Sequence, residues 1–305
     1  MAIRLGLQIP NFSFGTGVEN LFPTVISYAH EAEAAGFDSL FLMDHFYQLP
    51  MLGTPDQPML EAYTALGALA TATERLQLGT LVTGNTYRNP TLLAKCVTTL
   101  DVVSQGRAIL GIGAGWFELE HEQLGFEFGT FTDRFKRLDE SLQIVLPMLE
   151  GLRPTFEGTW YHASEAMANP RYRNHIPLLI GGSGEKKTFP LAARYFDHLN
   201  IFCGFDELPH KVEVARRLCE GIGRDPSSLE ISTLLTAVVD DTVDADQVPT
   251  RVNQRLIAGS AEAIADQVEA KVLSAGVDSV IVNVATQSPG AVTAVGEALR
   301  PLLGM

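Results

Sequence analysis

The chain has 305 residues, 46% of them apolar and 19% charged, so it can bury a large core and is too apolar to be disordered. Its formal net charge of −14 argues against nucleic acid or an anionic membrane as a partner, because both need clustered Lys and Arg. Cys96, Cys203 and Cys219 are scattered, with neither zinc spacing nor a disulfide pattern, which fits a reducing cytoplasm.

Residues 3–9 read as a first strand rather than a signal peptide, and no apolar run is long enough to span a membrane. A loop over 11–17 leads to a helix over 19–35 that stops at Gly36. Strand two, 39–43, is apolar on both faces and ends on Asp44 and His45. A long loop, 46–59, carries Pro50, Pro55 and Pro58, and an alanine-rich helix spans 60–74. Strand three covers 76–82. Asn89-Pro90 starts a helix that ends at Gly106.

Strand four, 108–112, runs into Gly113-Ala114-Gly115-Trp116, and a helix covers 133–150. Residues 151–176 break the rhythm, with a hairpin expected at 156–161. Strand five is 178–181, followed by Gly182-Ser183-Gly184 and a helix with Lys186 and Lys187 in its first turn. Strand six is 198–202, its helix 206–221, and strand seven 229–239. A polar loop with four aspartates is expected over 240–258. Ser260 caps the next helix, strand eight is 277–283, and Ser288-Pro289 opens a last helix.

Eight strand–helix units with no distinct linker fit one (β/α)8 TIM barrel domain over residues 1–305 better than a doubly wound open sheet. The chain also echoes itself. Ala35-Gly36-Phe37-Asp38-Ser39-Leu40 returns as Ala275-Gly276-Val277-Asp278-Ser279-Val280.

In such a barrel the loops after the strands share one face. That face collects Asn11, Asp44, His45, residues 83–88, residues 113–118 and residues 181–187. Asp44 beside His45 at a strand end suits proton transfer, against the blander reading of a structural histidine. The glycine turn Gly181-Gly182-Ser183-Gly184 suits an anion, with a tight turn carrying two solvated lysines as the alternative. Gly111-x-Gly113-x-Gly115 begins inside a strand and is not the dinucleotide fingerprint. Trp116 and Phe117 line either a pocket or the rim. Glu118, Glu120 and Glu122 read as a solvated helix face, with Glu118 the one able to turn inward. The remaining histidines lack metal-ligand spacing.

Taken together, these residues resemble the luciferase-like monooxygenase superfamily and, within it, the coenzyme F420-dependent oxidoreductases. The likeness rests on Leu5-Gly6-Leu7-Gln8, on residues 36–46, on Leu78-Gly79-Thr80-Leu81-Val82 with Arg88-Asn89-Pro90, on residues 100–107, on Gly111 to Trp116 and on Ile180 to Gly184. It implies F420, or FMN as the alternative, with contacts from Asp44, Leu81, Val82, Thr83, Ala114, Gly115, Gly181, Gly182, Ser183 and Gly184. The Leu81–Val82 peptide is implied to be cis, the glycine turn to hold the phosphate, and His45 to transfer the proton, with Asp44 orienting it or the ring.

Trp116 stands where a sugar-phosphate dehydrogenase of the family carries Glu, so that activity is not carried over. Three functions follow: F420-dependent hydride transfer to or from a small organic substrate, an FMN-dependent two-component monooxygenase using O2, or a non-catalytic flavin- or F420-binding protein. Lys186 and Lys187 suit the polyglutamate tail of F420. Relatives are often homodimers, though nothing in this sequence marks an interface.

Overall fold

The structure is a computed structural model that describes residues 3–243, 254–284 and 290–303. The strands are β1 Arg4–Ile9, β2 Ser39–Leu42, β3 Gln77–Thr80, β4 Thr83–Gly84, β5 Ala108–Gly113, β6 Phe156–Glu157, β7 His162–Ala163, β8 Leu178–Gly181, β9 His198–Ile201, β10 Glu230–Val239, β11 Leu256–Gly259 and β12 Ser279–Val284. The helices are α1 Val18–Ala35, α2 Ala62–Ala72, α3 Pro90–Val103, α4 Glu118–Leu124, α5 Phe131–Leu149, α6 Thr188–Tyr195, α7 Leu208–Gly221, α8 Ala261–Lys271 and α9 Ala291–Leu299.

The strand order β12-β1-β2-β3-β5-β8-β9 is closed by β10, which pairs in parallel with both β9 and β12. This is the (β/α)8 barrel. Two compact units can be distinguished, residues 1–41 with 179–305, and residues 42–178.

In the first unit, the sequence echo turns out to be a repeated joint. Gly36 and Gly276 both sit at positive φ, 90° and 87°, where a Cβ would be strained. Two residues later, the Asp38 amide donates to the Leu5 carbonyl while its carboxylate accepts the Leu5 amide at 2.8 Å. Asp278 does the same with Ile231, its carboxylate accepting at 2.7 Å. Each aspartate thus closes the start of the neighbouring strand and sets its register.

In the second unit, the strand expected over 76–82 is split. β3 stops at Thr80, the Leu81–Val82 peptide is cis, and β4 resumes at Thr83 beside Ile112 of β5. The Leu81 amide donates to the Leu42 carbonyl at 2.9 Å, which ties this break to the end of β2. Gly111 is needed here for close approach, since a Cβ on it would lie 1.9 Å from the Thr80 carbonyl oxygen. That is the structural reason for the glycines of β5.

Several boundaries differ from the sequence reading. α5 starts earlier than expected because Thr130 and Asp133 form a reciprocal capping box. Lys186 and Lys187 precede α6, which starts at Thr188, so neither lies in its first turn. The supposed loop 240–258 contains β11, whose Leu256 pairs with Thr236 of β10. Its apolar run of Leu256, Ile257 and Ala258 is too short to stand out beside a polar stretch. Residues 244–253 and the Ser288-Pro289 helix start lie outside the described residues. The hairpin at 156–161 is present as β6 and β7, with the Glu140 carboxylate accepting the amides of Thr159, Trp160 and Tyr161.

Candidate active site

Within residues 42–178, the segment that follows β2 carries Asp44 and His45 in succession, and the two take different partners. Asp44 is buried and accepts two bonds from Arg88, Nη1 to Oδ2 at 2.6 Å and Nη2 to Oδ1 at 2.9 Å. Arg88 also meets Glu61, the capping residue of α2, and lies over the Tyr63 ring with 4.8 Å to its centroid. Burial pushes the Asp44 carboxyl up from its ordinary value, and Arg88 opposes that rise.

From Tyr63 a chain of hydroxyls runs to β5. Thr80 donates to the Gly111 carbonyl at 3.0 Å, so the Thr80 oxygen must accept from Thr83 at 2.8 Å. Thr83 then accepts from the Tyr63 hydroxyl, also at 2.8 Å. Thr83, a sequence candidate, is thereby connected to Asp44 through Tyr63 and Arg88.

His45 is not oriented by Asp44. Its Nδ1–H donates to Glu120 Oε2 at 2.9 Å. Glu120 has 0% exposure and also accepts the Tyr87 hydroxyl, the Phe46 amide at 2.5 Å and the Tyr47 amide at 2.8 Å. Burial pushes this carboxyl up, but the bonds from His45, Tyr87 and the Tyr47 amide outweigh burial and hold it below the ordinary range. A carboxylate on Nδ1 fixes the tautomer, so Nε2 carries the exchangeable site. His45 Nε2 meets no protein partner among the described residues. Trp116 and Phe117 stand edge-on to the imidazole, with centroids 5.7 Å and 5.8 Å away. Leu49, from the loop after β2, packs with Met43 and Phe117 behind them.

The sequence reading placed Glu120 on a solvated face, and this is corrected. Glu118 and Glu122 are exposed, whereas Glu120 and the adjacent His121 are both buried. In α4 the chain turns inward at consecutive positions, so no apolar periodicity marks the buried face. His121 is structural. Its Nδ1 donates to the Phe117 carbonyl, leaving Nε2 to accept from Thr86 at 2.6 Å, and burial lowers its pKa. Tyr87, Arg88, Glu61 and Tyr63 were likewise not singled out as site residues. Asn85, 1% exposed after β4, leaves both side-chain amide atoms unpaired among the described residues. Ala114 is half-buried, and Gly115 has φ 80° with its carbonyl accepting from Arg134 Nε at 3.0 Å.

Gly181 to Gly184 belong to the other unit. Gly182 has φ 141°, a conformation that L side chains rarely adopt, and its amide donates to the Asn200 carbonyl at 3.0 Å. Among the described residues, the amides of Ser183, Gly184, Glu185 and Lys186 donate to no backbone carbonyl. A run of free amides in a glycine turn is an anion cradle. Lys211 of α7 supports it, its Nζ donating to the Ser183 carbonyl at 3.2 Å and pairing with Glu185 at 2.6 Å.

The Arg88–Asp44 pair sets a stability prediction. With side chains 9% and 1% exposed, Arg88→Ala strands a buried carboxylate. Urea unfolding is expected to show a loss of about 3–5 kcal/mol, partly recovered when Asp44→Asn is added. A loss below about 1 kcal/mol would mean that water reaches Asp44 and the pair is not a buried one.

Comparison with known proteins decides the kinship. The luciferase-like monooxygenase family profile matches residues 3–248.

The chain belongs to the luciferase-like monooxygenase family.

It is 32% identical over 246 residues to an F420-dependent glucose-6-phosphate dehydrogenase of Microbacterium testaceum, covering 80% of this chain and 70% of that one. The chain spans from about half to 70% of the length of the curated relatives it matches. Among solved structures, it superposes with a TM-score of 0.83 on an F420-dependent secondary alcohol dehydrogenase in complex with an F420–acetone adduct, at 21% identity and 99% coverage of both chains. The FMN complex of a 3,6-diketocamphane monooxygenase constituent from Pseudomonas putida gives a TM-score of 0.81 at 17% identity, covering 100% of this chain and 99% of that one. At these identities the superpositions speak to the fold alone.

Proposed function

We propose that this luciferase-like protein is an F420-dependent oxidoreductase that exchanges a hydride with a small organic substrate. One observation carries the chemistry: His45 has Nδ1 fixed by the buried Glu120 and Nε2 without a protein partner. The kinship with F420-dependent dehydrogenases supports the cofactor.

The residues fit that cofactor. The free amides at 183–186 suit its phosphate, and the exposed Lys186 and Lys187 suit its tail. The orphaned Asn85 amide offers a donor and an acceptor to a ring edge that carries both. Asp44, Leu81, Val82, Thr83, Ala114 and Gly115 are assigned to the ring, and Gly181, Gly182, Ser183 and Gly184 to the phosphate.

When bound, F420 supplies a two-electron hydride donor or acceptor. His45 Nε2 takes the proton that leaves the substrate in oxidation, or returns it in reduction. Glu120 keeps the imidazole in place through the transfer and stabilises it when it is doubly protonated. Trp116 and Phe117 limit water around the ring nitrogen. Asp44, neutralised by Arg88, is a rigid polar support.

The FMN monooxygenase reading rests on fold similarity and on the family name, and the curated kinship favours F420 over it. Titration of the purified protein with F420, followed by cofactor fluorescence, is expected to give binding in the micromolar range or tighter. Absent F420 binding alongside tight FMN binding would transfer the site to the monooxygenase reading.

A further inference from the structure

The loop after β4 carries Thr86, Tyr87 and Arg88 in succession, and each side chain reaches a different part of the site. Thr86 meets His121, Tyr87 meets Glu120 and Arg88 meets Asp44. Tyr87 is the one whose reach bears on proton transfer. Its hydroxyl and the His45 Nδ1–H donate to the same oxygen of Glu120, Oε2. The other oxygen, Oε1, accepts the Phe46 and Tyr47 amides. Four donors thus share one carboxylate, two on each oxygen.

The phenol is held for this contact. Tyr87 is 7% exposed, with its ring stacked on His121 at a centroid distance of 4.9 Å and edge-on to Phe46 at 5.0 Å. Its amide donates to the Gly84 carbonyl at 3.1 Å, and a Cβ on Gly84 would lie 2.6 Å from the ring. Glycine at 84 therefore makes the room in which the phenol lies. Burial, joined by the Glu120 carboxylate, pushes the hydroxyl well above its ordinary value, so it stays a donor at neutral pH.

Two donors on one oxygen share its charge. A carboxylate that accepts a further hydrogen bond is a weaker base and a weaker partner for an imidazolium. The other charged groups around the pair have their own partners. Asp44 is bound to Arg88, and Arg88 also meets Glu61. His121, stacked on the phenol, turns Nε2 to Thr86, and burial lowers its pKa. Arg134 of α5, which acts on His121, bonds the Gly115 and Gly129 carbonyls. Glu118 and Glu122 of α4 are exposed. Tyr87 is the side chain that shares Oε2 with His45.

We propose that Tyr87 is a positioning residue for proton transfer: by donating to the Glu120 oxygen that holds His45, it restrains the pull of that carboxylate on the imidazolium, so that the ring both takes and returns a proton. The proposal rests on the reading of His45 as the proton carrier.

The first arm of the test uses the protein without cofactor. NMR titration of the histidine rings, with the His45 signal assigned by its loss in His45→Gln, compares wild type with Tyr87→Phe. Without the phenol, Glu120 binds the imidazolium more strongly. The His45 midpoint is expected to rise by about 0.5–1 pH unit, which is about a three- to tenfold gain in proton affinity. A ring-fluorinated tyrosine placed at 87 keeps the shape and donates more strongly, so it is expected to move the midpoint down. It serves also where Tyr87→Phe does not fold. The second arm follows turnover with F420. The limb of the kcat–pH profile that reports His45 should move up in Tyr87→Phe, in either direction of hydride transfer, with KM within about twofold of wild type.

A merely structural Tyr87 would lower thermal stability and leave midpoint and limb in place. An unchanged or lowered midpoint in folded Tyr87→Phe overturns the proposal, as does a midpoint that stays or rises with the fluorinated ring. A midpoint that rises in Tyr87→Phe while no kcat limb follows it supports the coupling through Glu120 and overturns the reading of His45 as the proton carrier.

Discussion

His45→Ala is expected to lower kcat by about 10²–10⁴-fold while F420 affinity stays within a few-fold of wild type. The imidazole stands edge-on to Trp116 and Phe117, with Nδ1 committed to Glu120, so Nε2 is the atom left to exchange a proton. Removing it deletes proton transfer but none of the groups assigned to the phosphate or the ring. The measurement follows F420 absorbance with a panel of small alcohols and aldehydes, beside fluorescence titration of the same variant. Full turnover in His45→Ala removes His45 from the chemistry.

The second large effect is expected at Glu120. One buried carboxylate gathers the His45 ring N–H, the Tyr87 hydroxyl and the amides of Phe46 and Tyr47. Glu120→Gln keeps the shape but turns one acceptor into a donor facing donors. A stability loss of about 2–4 kcal/mol follows from the unmade buried bonds. Because Glu120 orients His45 without touching substrate, kcat should fall about tenfold or more with KM nearly unchanged, and Glu120→Asp should recover part. A merely structural role would lower stability without that split.

The same residue gives a pH signature. Its carboxyl is held below the ordinary glutamate range, so the unfolded chain takes up the proton first as pH falls. The stabilisation is fully present above the unfolded value and is lost as pH drops through the folded one. The urea midpoint of the wild type should therefore decline through and below the ordinary glutamate range, and Glu120→Gln should lack that component.

The outline of the barrel was readable because its signals are local. Gly36 after α1, Asn89-Pro90 at α3 and Ser260 at α8 are chain-end features that act within a few residues. Asp44 and His45 were readable as strand-end groups because β2 is buried throughout. Their partners were not. Arg88 lies 44 residues from Asp44, and Glu120 lies 75 residues from His45. Nothing in a run such as Glu118-Leu119-Glu120-His121-Glu122 separates the one buried carboxylate from its exposed neighbours, because tertiary packing made that choice. The adjacency of Asp44 and His45 suggested that one orients the other. Tertiary packing gives them separate partners instead, Arg88 for the acid and Glu120 for the imidazole. The same limit hid β11, whose pairing with β10 decides its form more than its composition does.

The central claim is hydride exchange with F420, assisted by a glutamate-held histidine. Its most direct measurement is an anaerobic single turnover of wild-type protein with F420 and the substrate panel, read at the visible band of the oxidised cofactor. The account predicts a change in that band with at least one substrate, slowed about 10²-fold or more in His45→Ala. No change with any substrate, together with oxygen uptake driven by reduced FMN, would contradict it.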